Sequence, residues 1–226
     1  MKAAVITFPG SNCDRDAIEA IKLIKGKVKN VWYKDTNLDN DLDLIILPGG
    51  FSYGDYLRSG AMASVAPVIK EVKRLAQKGV YILGICNGFQ ILTEIGLIKG
   101  SLMRNRDMKF ICRSVYLKVN NNSKFTENYQ KDEVINIPIA NMDGNYYASD
   151  DILKELEDED GIAFRYCSKN GLKSNEFNPN GSIANIAGVF NKKKNILGMM
   201  PHPERAIGHN KDIGGDGIRL FESLLK

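Results

Sequence analysis

The sequence predicts an α/β fold: one doubly wound, largely parallel sheet with helices on both faces, and an antiparallel or mixed extension in its second half. Three observations carry this. Strand-like and helix-like stretches alternate through the first half of the chain. Short apolar runs there, such as "LIIL" and "VYIL", stop at turns containing glycine, as strands buried on both faces do. The second half changes to short strand-like runs separated by turns rich in Asn, Gly and Asp.

In chain order, "KAAVITF" is the first strand. "NCDRDAIEAIKLIKG" is a helix, with Ser11 or Asn12 as its cap, Asp14 and Asp16 in the first turn and Gly26 as its stop. "KVKNVWYK" and "DLDLIILPGG" are the next two strands. A helix is predicted from about Met62 to Gln77, ended by Gly79. "VYILGIC" is a strand and "GFQILTEIG" the helix after it. Beyond these, "ICRSVYLKV", "EVINIPIA", "GIAFRYC", "SIANIAGVF" and "NILGMM" read as strands. The acidic "SDDILKELEDEDG" reads as a solvated helix or loop, and "GGDGIRLFESLLK" as a terminal helix docked on the sheet. A parallel sheet of this kind places ligands at the carboxyl ends of its strands.

Composition sets the bounds. The chain has 226 residues, 43% hydrophobic and 26% charged, which suits a single domain over residues 1–226. The net charge of +4 is spread among both signs with no basic stripe, so no nucleic-acid partner is expected. "MKAAVITFPG" suits a first strand better than a signal peptide, and no apolar run is long enough to cross a bilayer. A cytoplasmic protein without a membrane partner is expected. Of the four cysteines, Cys13, Cys86, Cys112 and Cys167, no two stand at CxxC spacing, so neither a zinc site nor a disulfide framework is predicted. The two histidines are His202 and His209, and any histidine chemistry must use one of them.

Cys86 has two readings. A free cysteine at the end of a buried strand is commonly a small packing residue. But Gly84-Ile85-Cys86-Asn87-Gly88 also has the form of a nucleophile elbow, a sharp strand-to-helix turn that presents its central residue. The flanking glycines would let neighbouring backbone approach. Cys86 would then sit at a helix N-terminus, where free N–H groups and the helix dipole favour the thiolate. The Asn87 N–H would point to where an oxyanion forms, and Gly50 of "LPGG" could supply a second donor. Gly49-Gly50 equally reads as a plain turn. Gln90, one helical turn after Cys86, leans back toward it, either over a substrate or as a partly exposed helix residue.

In "MMPHPERA", Pro203 pushes His202 into an extended conformation, so His202 and Glu204 face the same side. That suits a carboxylate orienting an imidazole base. His209, in "IGHNKDIGG", has no comparable acid and reads as surface.

These stretches together resemble the class I (triad) glutamine amidotransferases. "G-x-C-x-G" and "HPE" mark the class. "PGGFSYGDYLRSGA" (48–61), "GICNGFQILTE" (84–94), "RNRDMKFICR" (104–113), "NPNGS" (178–182), "IAGVFN" (186–191) and "ILGMMPHPERA" (196–206) resemble one subfamily, the glutaminase subunits of phosphoribosylformylglycinamidine synthase. The resemblance runs nearly the whole chain and implies the flavodoxin-like fold of that class. It also implies Cys86 as nucleophile, His202 as base, Glu204 as the acid orienting it, and Gly50 and Asn87 as oxyanion donors. Gln90, and with it Arg104, Asn105 and Phe110, would hold glutamine. The implied activity is release of ammonia from L-glutamine through a cysteine thioester. The implied partner is a larger synthetase subunit that uses ATP and magnesium, with a small accessory subunit; no cofactor is implied for this chain. The alternatives are an amidotransferase serving another synthetase, a thiol hydrolase of α/β type, or a regulator that has lost its chemistry. Two departures stand out. "IANMDG" (139–144) puts Asn141 and Asp143 where the family commonly has His and Glu, and Ser59 replaces a frequent cysteine, read as a packing change.

Overall fold

The structure is a computed structural model of the chain and describes residues 1–120, 123–208 and 214–225. Among the described residues, eleven strands and five α-helices follow one another. The first half holds β1 (Lys2–Thr7), α1 (Asp14–Leu23), β2 (Lys27–Trp32), β3 (Leu44–Leu47), α2 (Val68–Gln77), β4 (Tyr81–Ile85), α3 (Asn87–Glu94) and β5 (Ser101–Met103). The second half holds β6 (Ile111–Val119), β7 (Val134–Asn141), β8 (Asn145–Tyr147), α4 (Asp150–Asp158), β9 (Ile162–Cys167), β10 (Ile186–Phe190), β11 (Ile196–Met199) and α5 (Ile218–Ser223).

Nine strands form one sheet in the order β2-β1-β3-β4-β11-β10-β9-β6-β7. The first five are mutually parallel and the rest pair antiparallel. β3 and β11 are buried along their whole length, and β4 from Ile82 onward, which explains why their sequences are continuous apolar runs. The chain moves one way from β1 to β2 and the other way from β3 to β4. With right-handed crossovers, α1 and α2 therefore lie on opposite faces. This is the doubly wound arrangement predicted. β5 and β8 form a separate two-stranded ribbon that the periodicity did not reveal, since each is only three residues long.

Several boundaries differ from expectation for identifiable reasons. The helix predicted from Met62 begins at Val68, after a 3-10 turn at Ala63–Val65. Pro67 holds Ala66 extended (φ −63°, ψ 146°), so the helix starts only beyond it. The cap of α1 is Cys13, not Ser11 or Asn12, and its side chain makes no capping bond. The strand expected from Ser182 begins at Ile186, because Ala184 and Asn185 take positive φ in a 3-10 turn. "SDDILKELEDEDG" is a helix, α4, and Ser149 caps it by accepting from the Ile152 N–H. α5 docks as predicted, with Leu220 and Phe221 buried. No helix among the described residues is long and apolar enough to cross a membrane.

The antiparallel half does not lie flat. β7 is five strand spacings from β4 in the sheet order, about 24 Å if the sheet were flat. Yet the carbonyl of Ala140, on β7, lies 3.7 Å from the Sγ of Cys86, just beyond β4. Irregular register between β10 and β9, at Ile186/Gly188 and Gly188/Val189, supplies bending where the sheet must turn. The far edge therefore curls over the carboxyl ends of the parallel strands.

α5 buttresses this end: the Gly217 N–H donates to Ala206 O at 2.8 Å, just past the His202 segment. Phe221→Ala, which empties a fully buried position on α5, is expected to lower stability by about 3–5 kcal/mol in urea unfolding.

Candidate active site

The loops after β1, β3, β4 and β11 converge at one end of the sheet. Cys86 follows β4 and is the N-cap of α3, with φ 50° and ψ −104°. Positive φ is uncommon for a residue with a side chain, and such a conformation costs about 1–3 kcal/mol. The surroundings hold it. The Cys86 N–H donates to Met199 O at 2.8 Å, and its carbonyl accepts from Phe89 and Gln90 at 3.0 and 3.1 Å. The flanking glycines are there for backbone contact. A Cβ on Gly88 would stand 1.8 Å from the carbonyl oxygen of Leu47, at the end of β3. A Cβ on Gly84 would stand 2.7 Å from Gly88 O.

The next strand end contributes "PGG". Gly50 has φ 141°, and a Cβ there would fall 2.8 Å from both Ser11 Cα and Asn12 N of the loop after β1. Gly50 lines a small cleft together with Phe51, Cys86, Gln90, Asp55, Ser59 and the 140–143 segment. Asn87 lies in the first turn of α3, where backbone N–H groups have no intrahelical partner. Its side-chain oxygen accepts from the Ser52 N–H at 3.2 Å, tying the elbow to the loop after β3.

After β11, the His202 N–H donates to Pro138 O of β7 at 2.8 Å. Nδ1 of His202 lies 2.7 Å from Oε1 of Glu204, which sits in the 3-10 turn Pro203–Arg205 rather than in an extended segment. Both side chains are almost wholly buried, at 2% and 1% exposure. Burial works against a charged imidazole here. The Glu204 carboxylate and the neighbouring thiols of Cys86 and Cys13 outweigh it and hold His202 well above its ordinary range. Nε2 of His202 and Oε2 of Glu204 have no hydrogen-bond partner. The Cys86 thiol is directed at Ala140 O, 3.7 Å away.

Gln90 does lean back into the cleft. It is already engaged there, donating from Nε2 to Asp143 O at 2.7 Å and accepting from Asn87 Nδ2 at 2.9 Å. Arg104, Asn105 and Phe110 stand apart from the cleft lining. Asn105 is fully buried and clamps two loops: Nδ2 donates to Lys109 O and Asn141 O at 2.9 and 3.0 Å, and Oδ1 accepts from Gly144 N at 3.0 Å. Arg104 Nε lies 3.3 Å from Asp143 Oδ1 on the rim. Phe110 is half exposed and packs against Phe51, ring centres 6.4 Å apart. His209 lies outside the described residues. The sequence reading missed Asp55, whose carboxyl is pushed up by burial and by Asp143, and the buried Asn141, whose amide has no partner. It also gave no role to Cys13, which the fold places beside His202. The only signal for Cys13 was its position just after the first strand, at the end of the sheet where ligands bind.

A sequence model of the CobB/CobQ-like glutamine amidotransferase domain matches residues 1–214. The chain belongs to this family. It is 45% identical to a chain in the solved structure of PurLQS from Thermotoga maritima, over 99% of this chain and 97% of that one, with a TM-score of 0.86. Two solved structures share the fold at low identity. One is a glutamine amidotransferase from Thermotoga maritima, 14% identical over 100% of this chain and 96% of that one, with a TM-score of 0.62. The other is the glutaminase domain of Trypanosoma brucei CTPS, 11% identical over 99% and 93%, with a TM-score of 0.61.

The His202–Glu204 pair gives a signed expectation for pH. The folded-state pKa of His202 is raised above its unfolded value, so the stability it contributes is fully present below about pH 6.5. That stability is lost as pH rises through the raised folded value. Glu204→Gln removes the largest influence raising the His202 pKa and should shrink this loss in chemical unfolding curves measured from pH 6 upward. Gly88→Ala should cost at least about 3 kcal/mol on the same measurement, because it forces β3 and α3 apart.

Proposed function

We propose that this chain is the glutaminase subunit of phosphoribosylformylglycinamidine synthase. The observation that carries the reading is the 45% identity, across nearly the full length of both chains, to a chain of PurLQS. The elbow at Cys86 and the buried His202–Glu204 pair supply the chemistry that such a subunit needs.

In the proposed reaction, the Cys86 thiolate attacks the side-chain amide carbon of L-glutamine. The carbonyl oxygen becomes an oxyanion held by the N–H groups of Gly50 and Asn87. The His202 imidazolium, oriented through Nδ1 by Glu204, gives its Nε2 proton to the leaving nitrogen, and ammonia departs from a thioester. His202 then takes a proton from water, whose oxygen attacks the thioester, and glutamate leaves with the thiolate restored. Arg104, Asn105 and Phe110 act on glutamine through the loops they brace rather than by lining the cleft.

Ammonia released into neutral water is protonated and loses its nucleophilicity. A larger synthetase subunit is therefore the proposed recipient. It would bind ATP, magnesium and formylglycinamide ribonucleotide, with a small accessory subunit completing a cytoplasmic complex. The geometry supports dependence on that partner. In the free chain the thiol is directed at Ala140 O, His202 Nε2 is unpartnered, and Gln90 is tied to Asn87 and Asp143.

Ammonia release from glutamine by the isolated chain is expected to be low and to rise at least tenfold with the synthetase. Cys86→Ala and His202→Ala should abolish glutamine-dependent synthesis, while the complex carrying either variant should still use added ammonium salts. Full activity of the chain alone, or transfer of its ammonia only to a different acceptor, would count against the assignment.

A further inference from the structure

We propose that Cys13, His202 and Glu204 form a binding site for a zinc-class divalent cation, and that the bound ion silences the histidine. One ligand atom from each of these residues lies within 4.8 Å of the others, and all three residues are buried. Tetrahedral zinc, with bonds of about 2.0–2.3 Å, sets its donors roughly 3.3–3.7 Å apart, so small side-chain rotations close the set. Cys13 lies beside the ring. A Cβ on Gly49 would fall 3.0 Å from Cys13 Sγ, 2.6 Å from His202 Cε1 and 3.2 Å from Nδ1, so thiol and ring face each other across a residue without a side chain.

A second observation points to a ligand. Oε2 of Glu204 is buried and has no hydrogen-bond partner, while Oε1 alone serves the histidine. The donor set of one sulfur, one imidazole and one carboxylate suits zinc better than magnesium or calcium, which take oxygen ligands. Charge closes as well. One thiolate and one carboxylate neutralise a dication, which lowers the cost of burying it. Arg205, whose charge also reaches Cys13, is held by Asp16 at 3.0 Å.

On binding, the Cys13 thiol and His202 Nδ1 each lose a proton to solvent, and the ion bonds to Sγ, Nδ1 and an oxygen of Glu204. The remaining imidazole proton is then on Nε2, the edge left for Cys86. A histidine so fixed can neither accept a proton there nor carry a second one. The ion therefore inhibits from the rear of the base, without needing the nucleophile.

The test uses the full chain. Calorimetric titration with zinc chloride should show one ion per chain, and cobalt(II) should give a thiolate-to-cobalt charge-transfer band in the near ultraviolet. The variant Cys86→Ser/Cys112→Ser/Cys167→Ala leaves Cys13 as the one thiol of the four and should keep both signals. Cys13→Ser, with its fold checked by circular dichroism, should lose the band and bind zinc at least tenfold more weakly. With the synthetase present, zinc should inhibit glutamate release reversibly to EDTA. A band lost from the triple variant, a band retained in Cys13→Ser, or no stoichiometric binding overturns the site. If Cys13→Ser does not fold, the triple variant decides alone. Binding is read without glutamine, so failure of the glutaminase assignment would leave this result interpretable.

Discussion

The site rests on a contact between two pieces of backbone. Gly88 of α3 lies against the carbonyl of Leu47 so closely that a single added carbon would stand 1.8 Å from that oxygen. This approach lets α3 begin immediately after β4, and it forces Cys86 into positive φ at the turn between them. The strain of about 1–3 kcal/mol is sustained because β4 is paired on both sides, to β3 and β11, along its buried length. A less constrained strand end would relax. The same packing puts the thiol at the start of α3, beside the N–H groups of its first turn.

The second dependence is electrostatic. An imidazole at 2% exposure would ordinarily be neutral, since burial disfavours its charge. Glu204, on the same short turn, reverses that balance from 2.7 Å. The carboxylate is itself buried, so neither partner can be removed without leaving the other uncompensated. Pro203 between them restricts the backbone, and Pro138 O holds the His202 N–H from the opposite wall.

The opposite wall is built around Asn141 and Asp143. Asn141, at the end of β7, is buried with its amide unpartnered, and Asp143 ties Ser59, Arg104 and Gln90 together through its carboxylate and carbonyl. Ser59, read from the sequence as a packing change, instead donates to Asp143 Oδ2 at 2.7 Å. Positions 59 and 143 are thus in contact with each other. Asn105 locks the loop below them, which explains a buried asparagine that lines no cleft.

Local chemistry made much of this legible in the residues alone. Continuous apolar runs identified the parallel strands because both their faces are covered, and "G-I-C-N-G" identified the elbow because only glycine permits the contacts on either side of the cysteine. The i, i+2 spacing of His202 and Glu204 across a proline was enough to pair them, although the intervening turn is 3-10 and not extended. The two three-residue strands, the delayed start of α2 and the cap of α1 were not legible, since each is set by a proline or by packing rather than by periodicity. Other features belonged to the tertiary structure entirely. A sheet that curls through its antiparallel half brings Ala140 of the far edge to Cys86, and convergence of the loops after β1 and β11 brings Cys13 to His202. Cys13 and His202 are nearly two hundred residues apart in the chain, so no spacing rule relates them. Only the closing of strand ends in space does.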